Sequence, residues 1–307
     1  MNMKKSANLP NRIIYSLYID IPEADLDYQI PHADSTISKT LHAKQEFRKN
    51  YNFLKDMHEK YANKIGVEYR LYEYDESYIE YKSWFNSNYP EITSYNIVNF
   101  YKLHILYKLS NEFDEVLYLD FDVIPIKYEN FFEEWDLSKG IVIMDGTAES
   151  QKEIATEHQD LMRSRYLNNS NRSPLAKYWN TRAMLNATDE GNGEYTVFNT
   201  GIIGANKYYL DKLDYFGDFR NILNLMTEIK EDPDSMFPEF VQNIFGYDNE
   251  TIWGYKTLSK EIKWQKMNSK WHQFMDKWSY VNEDSTFVHC IKKDFNYMKE
   301  YCEKNNI

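Results

Sequence analysis

Only two cysteines, Cys290 and Cys302, occur among 307 residues, too few for a disulfide framework. The default for such a pair is two reduced thiols, and the expectation is a cytoplasmic protein, soluble or peripheral to a membrane. No secretory signal is legible: Lys4 and Lys5 near the start are not followed by an apolar core. Without secretion, the Asn-x-Ser/Thr sequons at Asn168, Asn171, Asn186 and Asn249 carry no structural message. Long hydrophobic runs are missing too. The longest uncharged stretch, Tyr195 to Asn206, contains polar residues and is too short to span a bilayer. Basic residues are in short supply, 36 against 48 acids, for a net charge of −12. That balance excludes the usual basic nucleic-acid binder. It still permits an anionic substrate, provided a local cation or metal supplies the positive field. Aromatic surface is plentiful, with 27 Tyr and 7 Trp. Most of it packs, although aromatic faces also suit sugar rings. The length allows one large domain or two closely joined ones.

The chain is organised around Glu115 to Pro125, where Val116-Leu117-Tyr118-Leu119 runs into Asp120-Phe121-Asp122 and then Val123-Ile124-Pro125. The apolar run suits a central parallel strand buried on both faces. In a regular strand Asp120 and Asp122 face the same way, and Pro125 is expected to stop the ladder. Two adjacent carboxylates repel each other unless a divalent cation sits between them. Open α/β sheets hold their ligands at this end of their strands. An Asp-x-Asp metal site for the diphosphate of a nucleotide-sugar therefore stands against a plain solvated strand end; the short pattern alone fits either.

Before that strand, Arg12 to Ile19 reads as a first buried strand and residues 23–36 as a loop. Ser38 to Lys64 is a helix with an apolar stripe, ended by Gly66, and Val67 to Tyr72 is a second strand. This is a βαβ opening. A shorter helix around Glu76 to Phe85 leads to a buried helix over Thr93 to Leu109. Lys102 falls inside that helix's apolar stripe. It either snorkels to the surface or reaches an anion at the strand ends, and the pattern favours snorkelling.

After Pro125 come a short helix anchored by Phe131, Phe132 and Trp135, and a strand over Gly140 to Met144. Residues 146–194 turn polar and read as a helical insertion, a lid over the carboxyl edge of the sheet. Tyr195 to Ala205 is a strand whose small residues admit a close ligand, or simply an ordinary bulge at Gly201. One helix is expected over Lys207 to Ile229. Asp248 caps a helix running to Leu258, a role that accounts for it without catalysis. Trp264, Met267, Trp271, Phe274 and Trp278 fall on heptad spacing and suggest another helix. His289 lies in an apolar β-rich run, where a hydrogen-bonded core histidine is the commoner case. An amphipathic tail ends the chain.

Taken in this order, the motifs resemble the nucleotide-sugar-dependent glycosyltransferases of the GT-A fold, most closely the retaining family 8 group that includes bacterial galactosyltransferases and glycogenin. Four stretches carry the resemblance. They are Tyr101-Lys102-Leu103 ahead of Val116 to Asp122, Phe198-Asn199-Thr200-Gly201-Ile202, Asp248-Asn249-Glu250, and His289. Residues 23–64 and 146–194 do not match. The resemblance implies one α/β GT-A domain over 1–307, a Rossmann-like mixed sheet flanked by helices, with the helical insertion within it. It implies transfer of a hexose, with retention, from a UDP-sugar or similar donor to a hydroxyl acceptor. Asp120, Asp122 and His289 would be metal ligands. Ser16, Lys102, Asp120, Asn199, Thr200, Gly201 and Lys292 would meet the donor, and Asp248 and Asn249 would face the reacting carbon. Lysine stands where the family has arginine at 102, keeping the charge but losing the bidentate fork. Asn249 and Glu250 replace glutamine and aspartate. The late Gly and Lys-Pro-Trp are missing, although Lys292 and Lys293 follow His289. The same resemblance turns Trp264 to Trp271 into strand and loop.

The chemistry fits the residues independently. Departure of a nucleoside diphosphate develops negative charge that a divalent ion stabilises. Two carboxylates and an imidazole suit Mn²⁺ or Mg²⁺ better than zinc, with the imidazole favouring Mn²⁺. Two rivals stand beside this reading. One is a haloacid-dehalogenase-like phosphatase, whose Asp-x-Asp normally lies near the amino terminus. The other is a non-catalytic sugar-nucleotide or glycan-binding protein on a GT-A frame.

Overall fold

The computed structural model describes residues 10–25, 39–146, 172–190, 196–231, 246–275 and 280–307. Its centre is a mixed six-stranded sheet in the order β2-β1-β3-β6-β5-β7. The strands are β1 (Arg12–Tyr18), β2 (Glu68–Glu73), β3 (Glu115–Leu119), β5 (Ile141–Asp145), β6 (Phe198–Ala205) and β7 (Trp264–Lys266). β3 runs parallel to β1 and antiparallel to β6. A three-stranded sheet, β4-β9-β8, joins β4 (Val123–Pro125), β8 (Gln273–Met275) and β9 (Phe287–Cys290).

The period-2 reading of the Asp-x-Asp strand matches its packing. Val116 and Tyr118 lie in one apolar cluster with Phe100, Leu103 and Leu106. Leu117 and Leu119 lie in a second cluster with Phe131, Ile202 and Trp271. Helix α1 (Lys39–Ile65) ends at Gly66, whose φ of +71° is open to glycine at little cost. Helix α2 (Glu76–Asn88) is capped by Asp75. Helix α3 (Ser94–Leu109) is capped by Thr93, whose side chain accepts from the Asn96 N–H. The βαβ opening, the buried α3, the short helix α4 (Phe131–Glu134) and the closing helix Phe295–Asn305 are all formed.

Three expectations need correction. Pro125 ends a different strand from the one expected, β4, because the central strand breaks earlier, at Asp120. The Val123 N–H donates to the Asp120 carbonyl across a tight turn, and Val123 to Pro125 then pair with His289 to Phe287 in the second sheet. The helix expected over Lys207 to Ile229 is two, α6 (Lys207–Leu213) and α7 (Phe219–Glu231). Asp214 and Asp218 take left-handed φ values of 45° and 53° between them. The buried Lys256 ammonium binds the carbonyls of Asp214 and Gly217 and so satisfies the broken end. The heptad-spaced residues from Trp264 to Phe274 form no helix; strand and loop hold over 264–271, as the resemblance implied, because Trp264 pairs with Ile141 at the sheet edge while Trp271 and Met267 fill the second cluster, and Trp278 lies outside the described residues. In the 146–194 stretch a helix α5 covers Arg172–Ala187; 147–171 and 191–194 of the expected lid lie outside the described residues, as do 26–36 of the expected loop and the expected first residue of the following helix, Ser38. No helix among the described residues is long and apolar enough to cross a membrane.

Candidate metal and donor site

The two aspartates flank a hinge between the sheets. Asp120 is fixed at the end of β3 by its N–H, which donates to the Gly201 carbonyl at 2.7 Å. Phe121 turns the other way into a third apolar cluster, its ring 5.3 Å from Tyr18 and 5.7 Å from His58. Asp122 is held through its carbonyl, which accepts from the Cys290 N–H at 2.9 Å. The antiparallel pairing of Val123 with His289 then brings the imidazole alongside. His289 Nε2 lies 3.3 Å from Asp122 Oδ2 and 3.9 Å from Asp120 Oδ2. One ligand atom from each of the three lies within 4.8 Å of the others. The aspartates thus converge through a turn and a second sheet, not through the pleat of one strand.

Each of the three side chains is gripped from behind. Tyr118 donates its phenol to Asp120 Oδ1. Burial, and then the Asp120 carboxylate, push that phenol well above its ordinary pKa, so it remains a donor. Lys102 does not snorkel. It is 4% exposed, with Nζ 3.0 Å from the Thr200 carbonyl and 3.4 Å from Asp120 Oδ1. Burial alone would raise the Asp122 pKa. The Lys293 ammonium and His289 beside it outweigh burial and hold the carboxyl well below the usual range. His289 Nδ1 faces the buried His272 Nε2 at 2.9 Å. Burial, and then His289, keep His272 well below its ordinary pKa and therefore neutral. A metal-binding histidine commonly has its second ring nitrogen fixed by such a partner.

Gly201 lies where β6 shifts register against β5: Ile143 pairs with Ile203, but Met144 pairs with Asn199. A Cβ on Gly201 would come within 2.6 Å of His289 Cε1, so the small residue makes room for the histidine ring. Asn199 Oδ1 accepts from the Gly201 N–H at 3.0 Å. Thr200 is fully buried and joins three elements. Its N–H donates to Glu250 Oε1 at 2.9 Å, its hydroxyl accepts from Asn249 Nδ2 at 2.7 Å, and its carbonyl accepts from Lys102. Asp248 caps helix α8 (Asn249–Ser259): Oδ1 accepts from the Glu250 and Thr251 N–H groups, and Oδ2 from the Thr251 hydroxyl at 2.6 Å. One polar chain therefore links the Asp248 cap, through Asn249, Glu250, Thr200 and Lys102, to Asp120.

Two residues expected at the donor have other surroundings. Ser16 is fully buried, and its hydroxyl is 2.8 Å from His58 Nδ1. Lys292 is exposed, and its neighbour Lys293 is the lysine on Asp122. His58, His272 and Tyr118 escaped the sequence reading. Each looks like an ordinary core residue until the fold pairs it: His58 with the Val123 carbonyl at 2.5 Å, His272 with His289, and Tyr118 with Asp120. The alternation of β3 was the one available signal, since it placed Tyr118 on the same face as Asp120.

No protein-family model matches the chain, and no curated protein sequence matches it. Among solved structures, the chain is similar to a glycosyltransferase involved in glycosylation of the major capsid of PBCV-1. Identity is 13%, coverage 96% of this chain and 100% of that one, and the TM-score 0.43. It is also similar to mouse xyloside xylosyltransferase 1, at 8% identity, with 73% and 76% coverage and a TM-score of 0.39. A third similar structure is the galactosyltransferase LgtC in complex with donor and acceptor sugar analogues. There the identity is 13%, the coverage 91% and 87%, and the TM-score 0.37.

Proposed function

We propose that the protein is a metal-dependent glycosyltransferase of the GT-A type that moves a hexose from a nucleotide-diphosphate sugar, a UDP-sugar by resemblance, to a hydroxyl acceptor with retention of configuration. The observation that carries this reading is the convergence of Asp120, Asp122 and His289, three potential ligands from two sheets whose atoms share a 4.8 Å neighbourhood. The donor set fits Mn²⁺ or Mg²⁺: hard carboxylate oxygens with one imidazole, and no thiolate. When bound, such an ion supplies Lewis-acid stabilisation to the departing diphosphate.

The chain's own residues have distinct tasks in this reading. Tyr118 and Lys102 hold Asp120 with one oxygen turned away and the other towards His289. His272 orients the His289 ring so that Nε2 faces the carboxylates. Lys102 and Lys293 provide positive potential beside the phosphates in a chain whose net charge is negative. Asp248 and Asn249 stabilise positive character at the anomeric carbon from the start of α8. Asn199 and the Gly201 backbone line the sugar.

The test is a panel of nucleotide-sugars incubated with Mn²⁺ and no acceptor, read as release of nucleoside diphosphate. Metal-dependent hydrolysis of one donor is expected, lost in excess chelator. Nucleotide-sugar binding with no turnover would overturn the enzymatic reading in favour of a binding protein. Hydrolysis of simple phosphomonoesters would favour a phosphatase.

A further inference from the structure

Lys293 follows the second sheet directly, and its ammonium sits on Asp122 Oδ2. That oxygen is the one 3.3 Å from His289 Nε2, so the ammonium competes for the carboxylate oxygen that an ion shared by Asp122 and His289 would use. The position is built. Lys293 has a φ of +61°, a conformation that glycine and asparagine adopt more cheaply than lysine. Its N–H donates to the Cys290 carbonyl and its carbonyl accepts from the Phe295 N–H, both at 2.9 Å. Its Nζ lies 5.2 Å from the centre of the Phe47 ring, a cation–π contact. Side-chain exposure is 18% for Lys293 and 5% for Asp122. A strained backbone that delivers a particular side chain to a charged site is a sign of function.

We infer that Lys293 is a tethered counter-ion that competes with the divalent metal for Asp122 and thereby couples metal binding to diphosphate binding. The inference rests on the metal-site reading above. With Lys102 and Lys293 in place, the two carboxylates are already balanced by two ammonium groups. A dication entering alone must displace Lys293 and leave that ammonium unpaired beside it, so metal alone binds weakly. A nucleoside diphosphate arriving with the metal brings the negative charge that both cations need. By linkage, each ligand then strengthens the other by the same factor. The site stays charge-balanced when empty and fills with metal and nucleotide as a unit.

The experiment measures Mn²⁺ binding by electron paramagnetic resonance of the free ion, with and without UDP, for the full chain and three variants. Lys293→Met removes the ammonium but keeps an unbranched stem for the Phe47 ring. Lys293→Asn removes it with a residue suited to positive φ, so failure of the first variant to fold does not remove the test. Lys293→Arg keeps the charge. Both neutral variants should bind Mn²⁺ without nucleotide on the order of tenfold more tightly than wild type, a typical coupling factor. UDP should tighten their Mn²⁺ binding less than it tightens that of wild type, and the arginine variant should resemble wild type. Unchanged or weaker Mn²⁺ binding by folded neutral variants would overturn the counter-ion role while leaving the metal site intact. Absence of Mn²⁺ binding in every protein, with and without UDP, would overturn the metal-site reading and the inference with it.

Discussion

At the scale of single residues, Lys102 departs furthest from what its sequence context suggested. A lysine in an apolar helical stripe ordinarily snorkels, and methionine should then fold equally well there. With Nζ buried against the Thr200 carbonyl and Asp120, Lys102→Met strands a buried acceptor and should cost about 1–3 kcal/mol of stability, measured by urea unfolding. Equal stability would return Lys102 to a packing role. Asp248 separates structure from chemistry in the opposite way. Asp248→Ala should lose about 1 kcal/mol through the cap, whereas Asn caps as well as Asp. Asp248→Asn should therefore keep its melting temperature while turnover falls on the order of a hundredfold, the scale of one lost electrostatic stabiliser. Full turnover in the Asn variant would restrict the residue to capping. His58 makes the pH dependence testable. Burial pushes its pKa from 6.5 down to about 4, partly offset by the bond to the Val123 carbonyl and the charge of Asp122. Below pH 6.5 the unfolded chain binds a proton that the folded chain refuses, so stability is full above that value and is lost as pH falls towards 4. The loss is about 3 kcal/mol over that window. His272, lowered in the same direction, adds to it. His58→Gln should flatten the wild-type slope in guanidinium titrations between pH 4 and 6.5, and an unchanged slope would contradict a buried neutral His58.

At the scale of elements, the site depends on how β3, β6 and β9 meet. Gly201 fills the narrowest place, because the His289 ring occupies the volume a side chain would need. Gly201→Ala should keep the circular dichroism spectrum and weaken Mn²⁺ binding on the order of tenfold, since disturbing the groups that orient a metal-binding side chain costs about 10–100-fold. Undiminished binding would mean that the ring moves freely. The central strand, the helices either side of it and His289's strand were legible in the sequence because apolar periodicity and caps are local signals. The break in the 207–231 helix was not. It depends on Lys256, 39 residues beyond Gly217 in the chain, reaching the freed carbonyls. The aromatic repeat from Trp264 misled for a similar reason: its spacing suits a helix, but strand pairing with Ile141 and packing in the second cluster decide the outcome. Of the candidate site, the charged motif was visible and its scaffold was not. Nothing local in Ser16, His58 or His272 reveals that they stand behind the candidate site, and the choice between Lys292 and Lys293 turns on one left-handed backbone position.

At the scale of the whole molecule, a chain of net charge −12 gathers Lys102 and Lys293 around two carboxylates at the junction of its two sheets. That local arrangement, set against the global charge, suits a dianionic ligand that arrives with a divalent ion. The most direct measurement is calorimetric binding of UDP to wild type and Asp122→Asn, each with Mn²⁺ and with excess chelator. Wild type is expected to bind UDP only in the presence of Mn²⁺, and Asp122→Asn to lose that metal-dependent binding while remaining folded. UDP binding that is equally tight in chelator, or unaffected by the loss of Asp122, would contradict the metal-site reading.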